Sequence, residues 1–202
     1  MPYSKEHKAE TRQKILDSAI KLFSSNGFDQ VTIDDLMNDA GLTRGAFYAH
    51  FKNKKAVYSK AIIEGAKKSK IMQKKPEKLT NSEWIEDLLL GYISQEHINQ
   101  DISPCPLAFL VTDIANNEDE VKAVYTRMYK LLNKGIQTQL KGKGDVGSTQ
   151  AQQKQDVLAA TAMMIGAVAI GRALTDANTT DQLLTSCRSR ALNLLKGADS
   201  LT

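Results

Sequence analysis

At 202 residues, 42% of them hydrophobic and 25% charged, the chain is long enough to bury a sizeable core and ordinary enough in composition to exclude wholesale disorder. Its net charge of +4 is unevenly spread: up to Lys75 there are 15 Lys/Arg against 8 Asp/Glu, and beyond it 12 against 15. That asymmetry is the footprint of a phosphate-binding surface, although a solvated lysine-rich face produces the same count.

Apolar residues recur with the 3.6-residue period of amphipathic helices, as in Ile15, Leu16, Ala19, Leu22 and Phe23, or Val121, Val124, Tyr125, Met128, Leu132 and Ile136. Strand-like alternation is essentially absent. The expected fold is all-α, with about nine helices near 8–26, 33–40, 44–50, 54–74, 82–98, 105–116, 118–141, 151–175 and 180–196. Breaks fall at 74–81, 103–106 and the glycine-bearing 141–149, and no internal repeat is present.

The first helix should stop at Gly27 in a Schellman-type ending, with Phe28 folding back on Phe23. Thr32 is the expected N-cap of the second helix, with Asp35 three residues on as an Asp variant of the capping box. Val31 and Leu36 are spaced as a hydrophobic staple. Thr43 caps the third helix in the same manner, Leu42 is placed to meet Phe47, and Gly41 supplies the tight turn between the two. Two short capped helices joined by a glycine-containing turn form a helix-turn-helix.

The third helix has the composition of a DNA reader. Phe47 and Phe51 can anchor it, leaving Arg44, Gly45, Ala46, Tyr48, Ala49 and His50 on or near the opposite side. A glycine inside a helix costs about 1 kcal/mol relative to alanine, a cost that close approach of the backbone to another molecule can offset. Arg44 has the fork that reads guanine O6 and N7 in the major groove. Tyr48, His50 and Lys52 are candidate phosphate ligands, as are the hydroxyls and free N–H groups at Thr32 and Thr43. In the next helix Asn53 is the expected N-cap, yet Lys54 and Lys55 occupy the first turn, where the macrodipole disfavours cations. A DNA phosphate held by that N-terminus and Lys54 would reverse the penalty; two exposed lysines without a partner are the plain alternative.

Over about Thr11 to Ile62 the sequence resembles the tetracycline-repressor (TetR) family. The match comprises an Ile-Leu-x-x-Ala-x-x-Leu-Phe helix, Gly27-Phe28, Thr32-Ile33-x-x-Leu, Ala40-Gly41-Leu42-Thr43, Gly45-x-Phe47-Tyr48-x-His50-Phe51 and Lys54. The resemblance implies a homodimeric regulator: a DNA-binding head over 1–52, a connecting helix over 53–74, and a ligand-binding and dimerisation body over 75–202. At Lys55 the chain departs from the pattern, where such proteins often carry an acidic residue.

The body has little residue-level specificity. Trp84, Leu88, Tyr92, Phe109, Tyr125, Met128 and Met163, with Cys105, would line a pocket for a small apolar or aromatic inducer if they are not simply core. Cys105 stands before Pro106 at a helix start, a place that can lower a thiol pKa, and is either a sensor or a small buried residue. The resemblance places the dimer on the last two helices, here through Ala159, Ala160, Met163, Gly166, Ala167, Ile170, Leu184, Leu192 and Leu195; alternatively the small residues pack within one subunit.

No apolar run suggests a membrane span, and Lys5, Glu6, His7 and Lys8 precede any signal-peptide core, so a cytoplasmic, nucleoid-associated protein is expected. Cys105 and Cys187 show no CxxC or Cys/His spacing, and His7, His50 and His97 lack an HExxH arrangement, so neither a metal nor a cofactor is expected. That argues against a small helical enzyme. A helical adaptor that binds only protein would explain the body but not the capped motif. The expected function is a ligand-released repressor on a palindromic operator, with heads about 34–36 Å apart in the DNA-bound state.

Overall fold

The computed structural model describes residues 5–69, 72, 75–140 and 149–196. Among these, eleven helices are present and no strand. The all-α expectation holds, and the extra helices arise where two expected ones are interrupted. The glycine-bearing stretch expected at 141–149 lies outside the described residues except for Thr149.

The chain divides into two compact units. The first comprises residues 5–66 and 104–126. Its α1 (Lys5–Gln30) bends at Gly27, whose φ of 77° and ψ of 178° lie in a region open essentially to glycine alone. The ending is therefore a kink rather than the left-handed Schellman cap, and one further helical turn follows it. Phe28 still folds back as expected: its ring lies 6.1 Å from Phe23 and 4.9 Å from Tyr58. Helix α2 (Ile33–Asp39) opens with the expected capping box, Thr32 Oγ1 accepting from Asp35 N at 3.1 Å and Asp35 Oδ2 from Thr32 N at 2.8 Å. Helix α3 (Arg44–Tyr48) is shorter than expected, and α4 (Lys54–Lys68) ends six residues before the expected limit. Residues 70, 71, 73 and 74, also expected in that helix, lie outside the described residues.

Ile15, Leu16, Ala19, Phe23, Leu36, Met37, Phe47, Val57, Tyr58 and Ile62 form the core of this unit. Residues 104–126 complete it. The single helix expected over 105–116 is two: α7 (Pro106–Phe109) and α8 (Val111–Ala115), broken at Leu110 where φ is −114° and ψ 7°. Pro106 sits on α4 so closely that a Cβ at Gly65 would come within 2.7 Å of its ring. Asp113 of α8 accepts from Phe28 N at 3.1 Å and from the hydroxyl of Tyr58. Burial first, and that carboxylate second, push the Tyr58 phenol pKa far up, so it remains a donor.

The second unit comprises the described residues of 67–103 and 127–196. Here the helix expected over 82–98 splits into α5 (Asn81–Tyr92) and α6 (Gln95–Ile98), because Ser94 caps a new helix by accepting from His97 N at 3.1 Å. Helix α9 (Asp119–Leu140) contributes its later turns, and α10 (Gln150–Gly171) and α11 (Ala177–Lys196) form the main helix pair. Val157, Ala160, Met164, Ala167 and Val168 of α10 and Leu184, Ala191 and Leu195 of α11 are buried. Helix α10 is long and apolar enough to cross a membrane by length and composition, with a mean hydropathy of 1.2 over 18 residues. The sequence reading of no such run is corrected on that point; alanines, glycines and a buried Thr161 make it a helix that also suits a protein core.

Candidate nucleic-acid interface

Helix α3 has one buried residue, Phe47, whose ring lies 5.8 Å from that of Phe51. These two aromatics hold the helix down as expected and leave the rest of it outward. Arg44, Gly45, Tyr48 and Ala49 are exposed, and Ala46 and His50 are half-buried. Tyr48, at 56% exposure, is the most open large apolar side chain of the described residues. A Cβ placed on Gly45 would meet nothing within 4 Å. No contact among the described residues therefore requires that glycine.

The cap residues divide. The Thr32 hydroxyl is engaged with Asp35 in both directions. The hydrogen bonds from Thr32 are the main reason the exposed Asp35 carboxyl is held below its ordinary pKa. Thr43 has the extended backbone of a cap but its side chain makes no capping hydrogen bond, so its hydroxyl is not spent on α3. Arg44 forms an ion pair with Asp34 of α2, a partner ten residues away that no local pattern announces. Both groups are more than half exposed, and such a pair is worth about 0–1 kcal/mol. It pre-orients the guanidinium at little cost to its transfer to another acceptor.

Lys54 is engaged within the protein. Its ammonium donates to Phe28 O at 2.8 Å and Val31 O at 2.9 Å and lies 4.2 Å from the centre of the Phe28 ring. The side chain is thus committed to carbonyls at the end of α1, which explains the cation in the first turn of α4 without an external anion. Lys55 is likewise engaged, with Glu118 at 2.5 Å. Asn53 is the cap expected, its Oδ1 accepting from Ala56 N at 2.8 Å. Lys52 is exposed and remains on the outer surface.

A cleft of about 570 Å³ lies between the first turns of α1 and the α2–α3 turn, with His7, Lys8, Thr43 and His50 on its walls. The sequence reading included Thr43 and His50 but not His7 or Lys8. The run Lys5-Glu6-His7-Lys8 carried the charge signal, yet nothing in its spacing shows that it meets the turn before α3.

The body residues separate between the units. Cys105, Phe109 and Tyr125 belong to the first, where Cys105 is buried and the Tyr125 hydroxyl donates to Leu107 O at 2.8 Å. Trp84, Leu88, Tyr92 and Met128 are buried in the second, and Met163 is half-buried. Of the residues placed on the dimer face, Ala160, Ala167, Leu184 and Leu195 are buried within the chain itself, so they are spent on the subunit's own packing. Ala159, Met163, Gly166 and Leu192 are half-buried, and Ile170 is 52% exposed.

Residues 15–61 match the family model described as "Bacterial regulatory proteins, tetR family". Over these residues the chain is similar to the tetR family. Over 56 residues, 28% of the chain, it is 45% identical to the HTH-type transcriptional regulator AcrR of Shigella flexneri. Over 51 residues, 25% of the chain, it is 37% identical to IcaR, the HTH-type negative transcriptional regulator of the biofilm operon icaADBC in Staphylococcus aureus (strain Newman). The chain thus matches only 26% and 27% of these relatives' own lengths. The whole fold is similar to that of a TetR-family transcriptional regulator from Agrobacterium tumefaciens, with a TM-score of 0.73 over 91% of this chain and 98% of that one, at 18% identity. The capped α2, the turn at Gly41 and the anchored α3 all lie within the matched residues.

Proposed function

We propose that this protein is a DNA-binding transcriptional regulator, a repressor that acts as a homodimer on a palindromic operator and is released by a small apolar or aromatic inducer. The observation that carries the reading is α3: anchored by Phe47 and Phe51, open along Gly45 and Tyr48, and started by an arginine paired with an exposed carboxylate. Arg44 is the base reader, its transfer from Asp34 to a guanine edge exchanging a weak surface pair for a bidentate contact worth about 1–3 kcal/mol of discrimination. Thr43, Tyr48, His50 and Lys52 take backbone phosphates; Thr32 serves mainly as a cap, with its N-terminal turn beside the phosphate path. The IcaR name, which denotes a negative regulator, favours repression. The half-buried and exposed residues of α10 and α11 (Ala159, Met163, Gly166, Ile170 and Leu192) meet the second copy, and the buried aromatic and sulfur side chains of the body accept the inducer. The protein works in the cytoplasm on the nucleoid, as a binding protein and not a catalyst.

Footprinting on the DNA flanking its own gene tests the reading. The expected result is a protected palindrome whose half-sites lie about 34–36 Å apart, with affinity that falls steeply as salt rises. Absence of salt-dependent duplex binding would favour a protein-binding adaptor instead.

A further inference from the structure

The cleft between α1 and the α2–α3 turn has an unusual occupant. Nδ1 of His50 is shielded from solvent and has no hydrogen-bond partner among the described residues. Two cations of α1 act on the same ring: Lys8, on the cleft wall, and Arg12, whose guanidinium is stacked 4.9 Å from the centre of the neighbouring Phe51 ring. Burial first, then Lys8 and Arg12, hold the imidazole pKa below its ordinary value. In the free protein the neutral ring is therefore favoured, with Nδ1 unsatisfied and two cations acting on it.

An anion in the cleft changes this balance. Its charge offsets Lys8 and Arg12, which lowers the cost of a charged imidazole on the cleft wall. The Thr43 hydroxyl, unused as a cap, is a further donor on the cleft wall. We propose that the cleft seats one backbone phosphate of duplex DNA and that His50 takes up one proton from solvent as the phosphate arrives. The proposal rests on the DNA-binding reading and adds proton linkage to it.

The sign follows from linkage. Because the imidazole pKa is higher in the complex than in the free protein, the complex binds more protons, and affinity rises as pH falls. The window is bounded above by the His50 pKa in the complex and below by the depressed pKa of the free protein. The other groups near the ring are His7, Lys8 and Arg12 from α1 and Lys52 on its own segment; Gly41, Leu42 and Thr43 of the turn do not titrate there. His7 is the other imidazole on the cleft wall.

The test uses the full chain and a mixed-sequence duplex at constant low salt, with affinity measured from pH 5.5 to 8. Calorimetry at pH 7 in buffers of different ionisation enthalpy counts the protons. The wild type should take up a fraction of a proton approaching one per head, with affinity rising toward a limit of about tenfold per pH unit for each head engaged. His50→Gln should bind duplex with a flat profile, whereas His7→Gln should keep the slope. Lys8→Met, on the exposed start of α1, should lower proton uptake by relieving the repulsion before DNA arrives, which gives a second reading if His50→Gln misfolds. Duplex binding without proton uptake, or with the same slope in His50→Gln, overturns the proposal and leaves the DNA-binding reading standing. Failure of every variant and the wild type to bind duplex removes that reading itself.

Discussion

Helices α2 and α3 are 7 and 5 residues long and bury Leu36, Met37 and Phe47 between them. Helices α10 and α11 are 22 and 20 residues long, and each buries a stripe that runs most of its length. The short pair cannot hold itself helical by propensity, since isolated helices below about 12–15 residues are marginal. It is held instead by a capping box, a glycine turn and two aromatic anchors, and so leaves almost its whole outer surface for a partner. The long pair spends its apolar residues on itself. A surface meant for recognition is thus supported by a few side chains whose loss is severe, while a scaffold distributes its stability over many.

The contrast is sharpest at Ala167 and Ile170, three residues apart on α10. Ala167→Asp should prevent folding of the subunit, because an unpaired charge would be buried at several kcal/mol. Ile170→Asp, at a 52% exposed position, should leave the circular dichroism and melting profile intact. Analytical ultracentrifugation of Ile170→Asp then asks whether α10 meets a second copy; a folded monomer is the expected result, and an unchanged dimer would place the interface elsewhere. Phe47→Ala should cost about 3–5 kcal/mol, since it removes the single buried residue of α3. Thermal denaturation reads the loss, and a Tm within a degree of the wild type would show that α3 is held by something other than its anchor.

Lys54→Met and Arg44→Ala separate support from recognition. Lys54→Met leaves Phe28 O and Val31 O without their charged donor and should lower stability by about 1–3 kcal/mol, with a salt dependence of duplex binding like that of the wild type. Arg44→Ala should leave the melt unchanged, since its ion pair is exposed, and cost about 1–3 kcal/mol at the cognate site but little on random DNA. Equal losses on both DNAs would end its assignment as a base reader. The smallest effect distinguishes the two threonine caps. Thr32→Ala should lose about 1 kcal/mol of stability, because its capping box is formed. Thr43→Ala should lose almost none, because its hydroxyl makes no capping bond, while weakening duplex binding. Paired denaturant titrations resolve the difference.

Much of the head was legible because its signals are local. Thr32 and Asp35 are three residues apart, Phe23 and Phe28 five, and caps, staples and turns act over such distances. What escaped was non-local: Arg44 with Asp34 across a turn, Lys54 with the end of α1 26 residues back, and His7 and Lys8 beside the α2–α3 turn. The first-turn lysines of α4 stand out in the sequence, and in the structure Lys54 donates to Phe28 O and Val31 O and Lys55 pairs with Glu118, partners that no local spacing announces. In the body, periodicity found the helices and placed apolar stripes, yet a stripe does not say which neighbour covers it. That is why Ala160 and Ala167 read equally well as an interface and as core. The breaks at Ser94 and Leu110 were missed because a serine or a leucine interrupts a helix only when a new cap or a backbone turn is favoured by its surroundings.

The carboxylate of Asp113 also bears on how the protein is made. Phe28 N–H and the Tyr58 hydroxyl both donate to it, although Tyr58 precedes it by 55 residues. At a synthesis rate of about 5–20 residues per second, Tyr58 leaves the ribosome roughly 3–11 s before its acceptor. During that interval the nascent head has its helices, its capping box and most of its aromatic core, but a phenol and a backbone amide await a partner. The head is therefore completed only after residues 104–126 emerge. A fragment cut near residue 75, the boundary that the sequence suggests, should be a less stable protein than the same residues in the whole chain.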